Sequence, residues 1–362
     1  MLKEILVLGE LHLDLYYESD FYEQLVEKIV SRLSQFIKYN PDDLNRKIFE
    51  KVIKSGFSET PKKIIGHGYF KRGGNGNNSS EFLTRLGIPT KLISIIGRGS
   101  KWMYDELKSL GINTDAVFQI DEITPVSTII KSSFTTKIHL APNLKNKMNF
   151  EGIKVDTVVF ENGKIIFCTP IAKKFIEIFE RASQLDLITA YNIETQKVQT
   201  LQQLTQLIKK RYDLFFLNLK DAYIILKNKH SSIIEVDEKF KPYAKIRVYT
   251  AGGKGSYIIT DFFKLHFPGV EVSEIVDRTG AGDCYAAGFL KKLYDAVENK
   301  FKLNELLKKE NSDQLKSILS SCGNYATYLA IYKIIRQQAP TPEELQNFIN
   351  RFALENNQDF IG

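Results

Sequence analysis

The chain reads as an α/β protein built on a doubly wound, mostly parallel sheet flanked by helices, and three observations predict it. Residues 171–182, 185–189, 198–210 and 214–217 alternate helical and strand-like patterns. That rhythm yields parallel strands covered by helices on both faces. Residues 5–8 and 92–96 are short apolar runs that stop at Gly9 and Gly97, as buried strands do. With 362 residues, 43% of them hydrophobic, the chain can bury a large core and is too apolar for disorder.

Composition excludes several function classes. Fifty basic against 43 acidic residues give a net charge of +7, with lysines spread through most segments. No dense basic arm or aromatic-basic repeat occurs, so no nucleic-acid partner is expected. A modest positive field still favours an anionic nucleotide. Three cysteines lie far apart without a CxxC pair, which argues against a disulfide scaffold or zinc site and suits a reducing cytosol. Five scattered histidines form no HExxH or HxxxH pair, against a metalloenzyme of that kind. Residues 1–9 form a short charged-then-apolar strand without a cleavage site, and no apolar run reaches membrane-spanning length. A soluble, cytoplasmic protein with no membrane partner is the expectation.

Taken in order, the elements follow from local pattern. After the strand at 5–8, Leu11, Leu13 and Leu15 alternate with His12 and Asp14, a period of two. Asp14 then lies on the wet face of a half-exposed sheet, or it serves a ligand. Residues 21–37 are amphipathic, with Tyr22, Leu25, Ile29, Leu33 and Phe36 on one stripe, and 45–53 also look helical. Residues 56–61 break the pattern, so 20–63 reads as a helical insertion, a packed elaboration with no direct role. Gly73 and Gly74 allow backbone torsions closed to other residues, suited to a hinge or a close approach of substrate. Asn78 and Glu81 have capping-box spacing for a helix through Leu86. A dinucleotide fingerprint fails here, because Ser79 stands where the third glycine belongs.

Residues 92–96 and 101–110 make a strand–turn–helix unit, and 115–140 hold several short β-like runs. Residues 155–160 and 164–168 predict a hairpin with Asn162 and Gly163 at its turn. Asn218 and Asp221 follow a buried strand directly, where ligand sites of α/β sheets gather; alternatively Asp221 only opens the helix at 222–227. Residues 245–250 and 257–260 are strands joined by a glycine-rich turn. It is no Walker A loop, since Gly255 rather than Ser or Thr follows Lys254 and a strand follows the turn. Residues 313–336 form a long helical pattern broken only by Gly323, and Pro340 and Pro342 open a last helix ending near Asn356.

Chemistry concentrates at residues 276–289. A strand-like approach, 271–276, runs into Thr279, Gly280, Ala281, Gly282 and Asp283, and an apolar helical run follows at 286–293. Small residues at a helix start leave its first amides uncovered, and the helix dipole adds positive charge there, so the turn suits phosphate. A carboxylate beside phosphate is unfavourable unless it has a task. Asp283 is either an N-terminal cap or the base that takes a proton from a hydroxyl attacking phosphorus.

The string Asp277, Arg278, Thr279, Gly280, Ala281, Gly282, Asp283 closely resembles the signature of the ribokinase-like (PfkB) family of carbohydrate and nucleoside kinases. The resemblance extends over nearly the whole chain in motif order. It implies a single ribokinase-like domain, 1–362, with lid strands at about 11–19, 66–74 and 117–140. It also implies ATP-dependent phosphorylation of an alcohol, with Asp283 as general base and the amides of Gly280, Ala281 and Gly282 as anion hole. Asp14, five residues after Gly9, would bind two hydroxyls of the acceptor, Gly73 and Gly74 would form the hinge, and Asn78 would bind the acceptor. Asn218 and Asp221 resemble the motif that orders Mg2+ and its waters, with Asp in place of Glu. Thr250, Gly252 and Gly255 resemble the nucleotide-side turn, and Asn324 falls near the adenine face, although helix packing also explains it. Asp277 and Thr279 fall where some relatives bind a monovalent cation, K+. Where ribokinases carry an acidic substrate ligand, this chain has Cys168 and Thr169, a departure that argues against ribose. The expected partner is thus a small sugar or a nucleoside, with the protein a monomer or a homodimer through the lid. A catalytically silent nucleotide-binding regulator is a rival reading, against which the intact Asp283 stands.

Overall fold

The computed structural model describes residues 2–39, 51, 54–55, 65–131, 138–140, 148–272, 275–276, 278–336 and 338–355. They include thirteen strands and eleven α-helices. The strands are β1 (Glu4–Gly9), β2 (His12–Glu18), β3 (His67–Gly73), β4 (Thr90–Arg98), β5 (Asn113–Ile123), β6 (Val126–Lys131), β7 (Ile138–Leu140), β8 (Gly163–Thr169), β9 (Ile188–Ile193), β10 (Tyr212–Asn218), β11 (Ala244–Thr250), β12 (Gly255–Ile259) and β13 (Lys264–Pro268). The helices are α1 (Phe21–Tyr39), α2 (Asn75–Arg85), α3 (Lys101–Ser109), α4 (Lys173–Ala182), α5 (Leu201–Leu207), α6 (Leu219–Leu226), α7 (Ile233–Phe240), α8 (Ala281–Ala296), α9 (Lys300–Leu306), α10 (Ser312–Arg336) and α11 (Pro342–Glu355). The expected helix at 45–53 and the breaker at 56–61 lie largely or wholly outside the described residues.

Two compact units emerge: residues 1–11, 73–124 and 146–362 form one, and 12–72 with 125–145 the other. The larger unit holds a nine-stranded sheet in the order β13-β12-β11-β10-β9-β8-β1-β4-β5. Neighbours from β11 to β5 are parallel, and β12 and β13 close one edge antiparallel. The sheet is doubly wound. Alternate residues of β1 point to opposite faces: Ile5 and Val7 join a core with α2, α3, α8, α9, α10 and α11. Leu6 and Leu8 join a second core with α4, α5, α6 and α7. No helix of the described residues is long and apolar enough to cross a membrane.

The smaller unit holds a four-stranded sheet, β3-β2-β6-β7, with β2 and β6 parallel from Leu13 opposite Val126. Tyr16 and Tyr69 stack there, ring centroids 5.1 Å apart, and Lys71 lies over both rings. Residues 117–123, expected in this sheet, instead complete β5 at the edge of the large one.

Two further expectations are corrected. Residues 155–168 are no hairpin: Thr157–Phe160 is a 3-10 turn, and β8 pairs in parallel with β1 and β9. Asn162 takes the left-handed conformation, φ 63°, and turns the chain into β8, while Phe160 anchors the turn in the core. Among the described residues of 271–276 none is in a strand. Ile275 and Val276 are exposed, and Val276 N donates to Ile334 O of α10 (2.9 Å) instead of to a neighbouring strand.

The end of β1 and the start of α2 are pressed together at two glycines. A methyl group on Gly76 would lie 2.7 Å from the Gly9 carbonyl carbon; one on Gly9 would lie 2.5 Å from Thr169 O. Backbone bonding follows, with Asn77 N donating to Glu10 O (3.2 Å). Gly76→Ala should therefore lower unfolding free energy by about 1–3 kcal/mol, the usual cost of overpacking. Urea unfolding measures it, and unchanged stability would contradict the close approach.

Candidate active site

The start of α8 is a turn that only glycine enters without strain. Gly280, the residue before the helix, sits at φ 75° and ψ 4°, in the left-handed region, and as the N-cap it has no side chain to cap the helix. Its carbonyl accepts from Cys284 N (2.9 Å), which begins the helical ladder. Ala281 N makes a long turn bond to Arg278 O, 3.3 Å. A methyl group on Gly282 would meet nothing within 4 Å, so the turn opens outward. Uncovered amides at the positive end of a 16-residue helix make a place for an anion.

Asp283 is the third residue of α8 and does not cap it. Its Oδ2 accepts from Asn78 Nδ2, 3.1 Å, across from the first turn of α2. Helix α2 starts at Asn75 after Gly74, four residues earlier than the capping-box reading of Asn78 and Glu81 requires. Asn78 is thereby inside the helix, and its side chain is free to serve Asp283. Burial raises the Asp283 carboxyl to about 6, against the Asn78 hydrogen bond and the charge of Lys333, which both lower it.

A second carboxylate sits at the end of β9. Glu194 Oε1 accepts from Asn192 Nδ2 (3.0 Å) and from Asn75 Nδ2. Burial, then the charges of Asp283, Glu10 and Asp221, push it up to about 8. The neighbouring Thr195 donates to Asp221 Oδ1, 2.9 Å. Glu10, at the end of β1, follows the opposite course. Burial would raise it, but Lys174 and Lys197, each 2.8 Å away, outweigh burial and hold it at about 2.

The strand ends beyond β9 carry the remaining polar groups. Asn218 ends β10 and caps α6, accepting from Lys220 N (2.9 Å), while its Nδ2 donates to Thr250 Oγ1 (3.4 Å). Asp221 therefore lies in the first turn of α6 without starting it. Gly252 and Gly255 bound a 3-10 turn between β11 and the antiparallel β12. These groups all stand at the carboxyl ends of parallel strands, where open α/β sheets bind ligands. Among the described residues no three His, Cys, Asp or Glu side chains converge on a metal position. Mg2+ needs no such cage: one or two carboxylates with water and phosphate oxygens suffice, and Asp221 beside Thr195 fits that donor set.

Asn324 is half-buried on α10, Thr279 is exposed in the turn before Gly280, and Asp277 lies outside the described residues. Gly73 ends β3. Asp14 is on β2 of the smaller unit, its Oδ1 3.1 Å from His12 Nε2. Cys168 and Thr169 are fully buried, and Thr169 Oγ1 has no hydrogen-bond partner among the described residues. Sequence reasoning missed Glu194, Asn75, Glu10 and Lys333. Glu194 had a usable signal, an acid directly after an apolar strand. Lys333 had one too, since it continues the buried stripe Cys322, Ala326 and Leu329 on α10.

Comparison with known proteins gives this geometry a family. The profile of the pfkB family carbohydrate kinases matches residues 47–307. A nucleoside kinase of Methanocaldococcus jannaschii is 26% identical over 232 residues, 60% of this chain and 70% of that protein. The ribokinase of Giardia lamblia superposes with a TM-score of 0.70 at 14% identity, covering 97% of this chain and 100% of that one. A fructokinase of Xylella fastidiosa with bound ATP gives 0.69 at 15% identity, covering 98% and 100%. The chain belongs to the pfkB family of carbohydrate kinases and is a phosphotransferase with an alcohol group as acceptor.

Proposed function

We propose that this protein transfers the γ-phosphate of ATP to a hydroxyl of a small sugar or sugar-like acceptor, with Asp283 as general base. The observation that carries the reading is the junction of Asp283 and Asn78 beside the open glycine turn of α8. Asn78, Gly73, Gly74 and Asp14 would hold the acceptor, since a carboxylate accepts two hydrogen bonds from a vicinal diol. Asp283 then takes the proton of the attacking hydroxyl. The amides of Gly280, Ala281 and Gly282 stabilise the equatorial oxygens of the transferring group, and Ala281 N exchanges its long turn bond for one of them. Asn218, Thr250, Gly252, Gly255 and Asn324 would hold the nucleotide. Mg2+, ordered through water by Asp221 near Asn218, would neutralise charge on the phosphates. The same reading gives a K+ position to Asp277 and Thr279.

The nucleoside kinase relative supports a second reading, in which the accepting hydroxyl belongs to a nucleoside. ADP release measured across a panel of free sugars and nucleosides separates the two. Release with one class only decides the acceptor, and no acceptor-dependent release with any member contradicts the kinase reading.

Asp283→Asn should keep the fold and lower turnover by about 10²–10⁴-fold, the range for losing a general base. Turnover within a few-fold of wild type contradicts the assignment. The base must be ionised to act, and its pKa lies at about 6, so kcat/KM should rise with pH through that value. Asn78→Ala removes a contact that lowers this pKa, so the acid limb should move to higher pH. A limb that stays in place contradicts the coupling. Asp14→Ala should raise the acceptor KM and leave ATP affinity intact; equal damage to both would give Asp14 another role.

A further inference from the structure

Lys333 reaches the glycine turn of α8 from α10. It stands in the last turn of α10, where the negative end of the helix dipole favours a positive charge. It is only 8% exposed, unusual for a lysine, and burying an ammonium is costly unless negative charge lies near. A methyl group on Gly280 would sit 3.9 Å from Lys333 Cε and 4.0 Å from Asn78 Nδ2. The ammonium nitrogen, one bond farther along the side chain, lies beyond 4 Å of that position. The bond from Val276 N to Ile334 O ties the end of α10 to the approach of the same turn.

We propose that Lys333 is a positioning residue of the phosphoryl-transfer turn, holding a fixed positive charge near Gly280 so that an ionised Asp283 and an incoming phosphoryl group tolerate each other. This rests on the kinase reading above. Without that charge, a carboxylate base and a phosphate group repel at close range. Among the described residues, the charged and polar groups facing Asp283 come from three elements: Asn78 from α2, Lys333 from α10 and Glu194 after β9. Of these, Lys333 alone is a cation. Its charge favours the ionised form of Asp283 and also acts on Cys284.

The test compares Lys333→Met and Lys333→Gln, which remove the charge, with Lys333→Arg, which keeps it. Whichever neutral variant retains the wild-type melting temperature is used. In that variant the acid limb of kcat/KM should move up by about one pH unit, since an opposite charge nearby lowers a carboxyl pKa by about that much or more. Its preference for AMPPNP over ADP, measured by calorimetry with Mg2+ and no acceptor, should fall about tenfold. Lys333→Arg should keep both properties near wild type. An active wild type whose limb and nucleotide preference are unchanged in the neutral variant overturns the role of Lys333 and leaves the kinase reading standing. A wild type that phosphorylates no acceptor, yet loses its AMPPNP preference in the neutral variant, supports Lys333 and overturns the kinase reading. Loss of both properties in Lys333→Arg as well, or a melting temperature lowered in both neutral variants, assigns the side chain to packing and overturns the proposal.

Discussion

The hydrogen bond from Asn78 Nδ2 to Asp283 Oδ2 joins the first turns of two helices whose residues are 205 positions apart. Each helix is aimed by a glycine constraint of a different kind. Helix α2 is pressed onto the end of β1 because Gly9 and Gly76 have no side chains to separate them. Helix α8 starts from a left-handed Gly280 that swings its first amides outward. Only when both hold do a hydrogen-bonding amide, a carboxylate and a row of uncovered N–H groups meet at the carboxyl end of the sheet. The two apolar cores, one on each face, fix the strands that deliver these ends.

Three carboxylates share that end and behave differently because their partners differ. Glu10 is neutralised by two lysines and held at about 2. Asp283, with one amide donor and one more distant cation against its burial, stands at about 6. Glu194 has amide donors and three acidic neighbours, and stands at about 8. At neutral pH the first is a structural anion, the second an available base and the third a neutral acid. Environments that push carboxyl groups apart in this way are how one site separates its acid and base tasks.

Local chemistry was legible in the sequence wherever neighbouring residues determine it. The strand–turn–strand of β11 and β12, the small residues opening α8 and the long α10 follow from periodicity and glycine spacing. What failed depended on distant partners. Asn162 and Gly163 look like a hairpin turn, but β8 finds parallel neighbours in β1 and β9. Asn78 and Glu81 have capping spacing, yet Gly74 starts the helix earlier and commits Asn78 to Asp283. Glu194 and Lys333 carry only local patterns and belong to no motif; their surroundings come from α2, α8 and the strand ends, assembled by the fold.

A crystal structure of the protein with ADP, Mg2+, aluminium fluoride and the acceptor identified by the panel tests the central claim most directly. The account predicts fluoride atoms within hydrogen-bond distance of the amides of residues 280–282, and the acceptor hydroxyl within that distance of the Asp283 carboxylate. A metal fluoride bound elsewhere, or an Asp283 side chain turned away from the acceptor, would contradict it.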